Sequence, residues 1–227
     1  SEMCIRDRIY IGGLIVRLIV RDLRKKFDDI TVIDRAGYDF ESGVVYGITG
    51  SRGSGRTTLL KCLCTECAPD GGFIRLDTGN GYYKIDYMDF GLVYDKPVLP
   101  EMLTARQYVE YMISMHAPQE RNAAKYLEIA GISRGRTDEY IGSFSDDEKQ
   151  RLQFISILIT EPVVVLIDEP NLDGKMYNTL KDFIARMKDK HIIIISSDNY
   201  KKLDTLVDEL VWLKDGILTG GLIQEKR

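Results

Sequence analysis

The stretch Gly50-Ser51-Arg52-Gly53-Ser54-Gly55-Arg56-Thr57-Thr58 follows the apolar run Val44-Val45-Tyr46-Gly47-Ile48-Thr49 and leads into Leu59-Leu60-Lys61-Cys62-Leu63. Its spacing is that of a phosphate-binding loop, G-x-x-x-x-G-K-[ST], with Arg56 in the place of the lysine. A strand that stops at a glycine-rich turn and opens a helix aims unpaired backbone N–H groups and the positive end of a helix dipole at one small volume. A polyphosphate fits there. A flexible glycine turn between a strand and a helix fits the same letters, so the rest of the chain decides between the two.

The 227 residues are enough for one sizeable α/β domain or two small lobes. With 44% hydrophobic residues and a net charge of −4, the chain has no electrostatic case for binding nucleic acid or an anionic membrane surface. Any anion must be caught by local geometry. The apolar run Ile9 to Val20 contains Arg17 and two glycines and falls short of the ~20 residues needed to cross a bilayer. No small-residue cleavage site comes after it, and Arg21 to Lys26 is charged, so a secretion signal is not indicated and a cytosolic chain is expected. The opening Ser1 to Arg8 shares no pattern with the rest of the chain and resembles translated adapter sequence. Residues 1–13 are left unassigned, and 14–227 is expected to be one domain. Cys62, Cys64 and Cys67 are placed in the helix after the loop. With no histidine nearby, they read as small buried thiols in preference to a metal or redox site.

In chain order, Leu14 to Leu23 alternates as a strand and Lys25 to Asp29 reads as its turn. Thr31 to Phe40 is a second extended segment, and Glu41-Ser42-Gly43 turns into the buried strand before the loop. After the loop helix, Pro69 to Leu76 is a turn and a strand, and Tyr82 to Tyr94 is strand-rich. Between Leu103 and Tyr140 apolar residues recur at helix spacing, with Gly131 stopping the run. Val163-Val164-Val165-Leu166-Ile167 is a continuous apolar strand suited to the middle of a parallel sheet, and it ends in Asp168-Glu169-Pro170. A helix over 176–189, a strand from His191 to Ile195, a helix from Tyr200 to Val207 and a hairpin turning at Lys214-Asp215-Gly216 complete the chain. Strands alternating with helices predict a mostly parallel sheet covered on both sides.

This order of motifs resembles the ATP-binding cassette (ABC) ATPase domain from about Leu14 to the C-terminus. The resemblance implies an α/β P-loop NTPase fold with a mostly parallel core sheet, an N-terminal antiparallel β-subdomain and a helical subdomain inserted at about 101–158. It implies that Phe27 stacks on adenine and that Gly50, Ser51, Arg52, Gly53, Ser54, Gly55, Arg56, Thr57 and Thr58 hold the phosphates of ATP. Thr57 and Asp168 take the Mg²⁺ ligand positions, and Glu169 is the general base that polarises the attacking water. Hard oxygen ligands for Mg²⁺ and a carboxylate for the water suit that chemistry.

Several positions depart from the family pattern. The signature L-S-G-G-Q is matched by Phe144-Ser145-Asp146-Asp147-Glu148, so three acids occupy the first turn of the next helix. They favour the helix dipole and repel a triphosphate. Ser145 and Glu148 also form an S-x-x-E capping box, which satisfies the N–H groups a phosphate would meet. The glutamine that links nucleotide to a membrane partner aligns with Asp95, and the histidine after the last core strand aligns with Ser197. Arg56 keeps the charge of the lysine but is larger, planar and fork-shaped. Asp173 resembles the family's dimer-contact acid.

The expected function is that of an ATP-binding subunit of an ABC transporter, with weak MgATP hydrolysis and Glu169 and Arg56 as catalytic residues. The alternative is a non-hydrolysing or regulatory ATP-binding subunit. A soluble ABC protein acting on ribosomes or DNA ranks below both. The implied partners are a separate transmembrane permease, docked through the helical insertion and the Asp95 loop, and a second ATP-binding subunit in a homo- or heterodimer. The implied location is the cytoplasmic face of the membrane.

Overall fold

The computed structural model describes residues 15–116 and 122–221. The opening segment and Leu14 lie outside the described residues. Two sheets organise the fold. Strands β1 (Arg17–Phe27), β2 (Ile30–Glu41), β4 (Gly71–Asp77) and β5 (Tyr82–Lys84) form an antiparallel sheet in the order β2-β1-β4-β5. The second sheet has the order β10-β9-β3-β8-β7-β6, built from β3 (Val45–Thr49), β6 (Phe90–Val93), β7 (Val164–Asp168), β8 (Ile192–Ser196), β9 (Glu209–Lys214) and β10 (Ile217–Gly221). All its pairings are parallel except the β9–β10 hairpin. This is the expected mostly parallel core beside an N-terminal antiparallel sheet.

The central strands are apolar because both of their faces are covered. On one face Ile48, Leu166, Ile192 and Ile194 pack with Leu59 and Leu63 of helix α1 (Arg56–Leu63) and with Leu18, Ile33 and Phe40 of the antiparallel sheet. On the other face Val165, Ile167, Ile193 and Ile195 meet Leu180, Phe183 and Met187 of a later helix, Gly174–Met187. The period of two in β8 therefore feeds two different cores with the same residue type. A third apolar cluster joins three helices: α2 (Ala105–His116), α3 (Ala123–Ile129) and α4 (Asp146–Thr160). The Gly174–Met187 helix is α5, and α6 is Tyr200–Leu203.

Local differences from the sequence reading have physical causes. Strand β1 does not turn at Lys25 but runs through Phe27, and Asp28 at φ 50° makes the turn. The pairing of β1 with β2 shifts register between Val20 and Leu23, where Asp22 has φ 49°, so a bulge breaks the alternation that would have marked the strand's continuation. Helix α1 ends at Leu63, which leaves Cys64 as its C-cap and Cys67 beyond it. Cys62 and Cys64 are buried, and Cys67 is half-buried. Helix α6 stops at Leu203, because the Leu206 N–H turns back to the Leu203 carbonyl at 2.9 Å.

Candidate functional site

Strand β3 is the middle of the core sheet, and its C-terminal end delivers the chain into the glycine-rich loop. Two glycines there are demanded by shape. A Cβ on Gly50 would lie 2.5 Å from the Leu213 carbonyl oxygen. Gly55, the N-cap of α1, has φ 98°, and a Cβ there would lie 2.6 Å from Val32 Cγ1. Helix α1 has no side chain capping its N-terminus and no acid in its first turn. Its first N–H groups are thus left to a ligand, and the dipole adds to their pull on an anion.

The acid pair stands at the end of β7, with β8 between it and β3. Asp168 Oδ1 accepts the Ser196 hydroxyl at 2.6 Å. The Glu169 backbone sits at φ 44°, and its N–H donates to the Ser196 carbonyl at 3.0 Å. Glu169 Oε2 accepts the Asp198 N–H at 3.3 Å. The end of β8 therefore grips both acids, and Ser196 is a site residue the sequence reading missed. The signal was its register: as the last residue of β8 it pairs with Asp168.

Arg56 joins the loop to this pair. It is buried, with 7% of its surface exposed. Its Nη1 donates to the Gly50 and Ser51 carbonyls, the latter at 2.9 Å, and to Ser54 Oγ at 3.4 Å. Its Nε donates to Glu169 Oε1 at 3.1 Å, and Nη2 reaches the same oxygen. The guanidinium thus holds the loop with one nitrogen and the carboxylate with the other two, a span that a single ammonium could not cover from one place.

The predicted residues divide into those at the sheet edge and those elsewhere. The loop, Asp168, Glu169 and Ser197 gather at the C-terminal ends of β3, β7 and β8, where an open α/β sheet places its ligand. Ser197 is buried; its N–H donates to the Ile48 carbonyl at 3.0 Å and its Oγ accepts the Asn199 N–H at 3.2 Å. Thr57 is exposed on the first turn of α1. Phe27 ends β1 with its ring half exposed and the Lys25 ammonium 5.2 Å from the ring centroid. Asp95 comes after β6 in a loop whose Tyr94 carbonyl accepts from Gln150 Nε2 at 3.5 Å.

Ser145 is the N-cap of α4, and the capping box is formed in both directions: its Oγ accepts the Glu148 N–H at 3.4 Å, and its N–H donates to Glu148 Oε2 at 3.0 Å. Burial pushes the Glu148 carboxyl upward, but the Ser145 donors and the Arg136 guanidinium outweigh it and hold the group below the usual carboxylate range. Asn171 Nδ2 donates to Asp147 Oδ1 at 3.2 Å, so the segment after the acid pair touches the acidic first turn of α4. Asp173 is ion-paired with Lys202 of its own chain.

The chain is 25% identical over 213 residues to a ribose import ATP-binding protein of Pseudomonas putida, covering 88% of this chain and 42% of that one. It is also 25% identical to a probable sulfate/thiosulfate import ATP-binding protein of Chlorella vulgaris, covering 92% of each. The chain therefore spans less than half of one of these relatives and nearly all of the other. Its fold matches that of a dimeric ATP-binding cassette solved in a post-hydrolysis state with ADP and Pi, with a TM-score of 0.76 at 19% identity over 92% of this chain and all of that one. Residues 33–172 match the ABC transporter family model, and the chain belongs to that family.

Proposed function

We propose that this chain is the ATP-binding subunit of an ABC transporter, that it binds MgATP and that it hydrolyses it slowly. The observation that carries the reading is the meeting of an uncapped helix N-terminus and glycine loop with two strand-end acids across β8. The residues fit the ligand. Gly50 to Thr58 would hold the polyphosphate, and the Thr57 hydroxyl and Asp168 carboxylate are the hard oxygens Mg²⁺ takes. Bound Mg²⁺ would supply charge neutralisation at the phosphates. Glu169 would hold the water, once its oxygen is freed from Arg56, and Phe27 offers an exposed ring to the base.

A non-hydrolysing or regulatory subunit is the second reading, and two observations favour it. The base of the proposed reaction is already ion-paired with Arg56. The acidic first turn of α4, capped by its own side chains, points the same way, since it offers a γ-phosphate little. Steady-state phosphate release by the purified chain, alone and with its membrane partner, separates the two. Turnover lost in Glu169→Gln supports hydrolysis. Tight MgATP binding with turnover unchanged by that substitution supports the regulatory reading.

No helix among the described residues is long and apolar enough to cross a membrane. The proposed partner is a separate permease subunit, bringing this chain to the cytoplasmic face of the membrane. The loop from Asp95 into α2 supports that docking surface, because Val98 and Met102 leave 74% and 85% of their surfaces exposed there. The relatives' names attach them to ribose and to sulfate or thiosulfate import. We propose transport as the shared role, with a second ATP-binding subunit completing the assembly.

A further inference from the structure

Arg56 opens helix α1 at the mouth of the loop, yet its side chain turns inward and is almost fully buried. Three loop oxygens take Nη1, and one oxygen of Glu169 takes both Nε and Nη2. The other oxygen of Glu169 is held by the Asp198 N–H at 3.3 Å. The cation that a polyphosphate needs and the carboxylate that an attacking water needs are therefore committed to each other. A lysine is a compact point charge; only the fork of an arginine bridges loop and carboxylate at once.

We infer that the Arg56–Glu169 contact is an autoinhibitory latch. Polyphosphate entering the loop competes with Glu169 for the guanidinium, so capture of the nucleotide releases the base. The inference rests on the nucleotide-binding reading above. It goes further by coupling two steps: Glu169 is withheld from water until phosphate has taken Arg56, and nucleotide affinity carries the cost of opening the contact. By reciprocity, the factor by which bound nucleotide weakens the contact is the factor by which the closed contact weakens nucleotide binding.

The test is a double-substitution cycle read by binding of Mg-ADP, so that hydrolysis does not enter. The chain, Glu169→Gln, Arg56→Met and the double variant are titrated with a fluorescent ADP analogue. Each is also melted without nucleotide. Removing a carboxylate near phosphates relieves repulsion in both backgrounds, so the comparison between backgrounds carries the answer. If the latch opens on binding, Glu169→Gln tightens ADP about fivefold more with Arg56 present than in the Arg56→Met background, and it lowers the melting point of the nucleotide-free chain. An equal or larger gain in the Arg56→Met background overturns the latch and leaves nucleotide binding standing. Failure of all four proteins to bind ADP overturns both.

Discussion

Arg56 Nε lies 3.1 Å from Glu169 Oε1, across 113 residues of sequence, and the pair is largely shielded, with side-chain exposures of 8% and 29%. Partial burial strengthens such a pair and makes its replacement consequential, because either partner left alone keeps a poorly solvated charge. The proposed chemistry runs through both residues, so the contact sets expectations for activity as well as for stability.

Arg56→Lys is expected to raise steady-state ATP turnover by about tenfold, equivalent to ~1.4 kcal/mol of barrier. The lysine gives the phosphates a point charge and no longer bridges the loop to Glu169. Phosphate release measured side by side with the unaltered chain checks this. No gain would place the limit elsewhere, at the acidic turn of α4 or at Ser197.

Gly55→Ala is expected to cost about 2–4 kcal/mol, combining a left-handed backbone with a collision against Val32. Gly53→Ala, at φ 81° with nothing within 4 Å of the added carbon, should cost only the backbone share, about 1–2 kcal/mol. Urea unfolding of the two variants measures the difference. Adding Val32→Ala to Gly55→Ala should recover part of the larger loss by removing the collision.

Ser145→Ala removes one half of the capping box on α4 and should lower stability by about 1 kcal/mol. The loss should diminish at low pH. Glu148 is held below its ordinary carboxylate range in the folded chain, so its stabilising contribution is present above the unfolded value and is lost as pH falls through the folded one. Melting temperatures of both proteins across about pH 3–7 test the sign.

His191 is buried, and its Nδ1 sits 2.5 Å from the Pro162 carbonyl oxygen. Burial lowers its pKa, outweighing the opposing pull of Pro162. The unfolded imidazole takes a proton near the ordinary value of about 6.5 while the folded one resists, so stability should fall as pH drops below that value. The loss ends once pH has passed below the folded pKa. A shallower decline of melting temperature between about pH 7 and 5 in His191→Gln would bear this out, and identical slopes would exclude His191 as the source.

Much of the fold was legible because local chemistry is one-dimensional where it matters. The continuous apolar run Val163–Ile167 marks a strand buried on both faces, and the glycines at 50, 53 and 55 mark a tight turn, left-handed at 53 and 55 and without room for a Cβ at 50 and 55. The capping box at Ser145 and Glu148 also depends on residues only three apart. Less was legible where pairing crosses the chain. The bulge at Asp22 disguised the length of β1, and the end of α1 at Leu63 moved Cys67 off the helix.

The sequence by itself determined the family and a mostly parallel core beside an N-terminal antiparallel sheet. It also put an arginine at the end of the glycine-rich loop and three acids in the first turn of α4. Only the tertiary structure decided what those side chains touch. Ser196 came to both acids because β8 pairs with β7 in one register. Asp173 found Lys202, and Asn171 found Asp147. Arg56 met Glu169 because three parallel strands end side by side, and a buried guanidinium takes whatever oxygens that edge presents. Direction of a side chain is set by such long-range partners, which no spacing along the chain encodes.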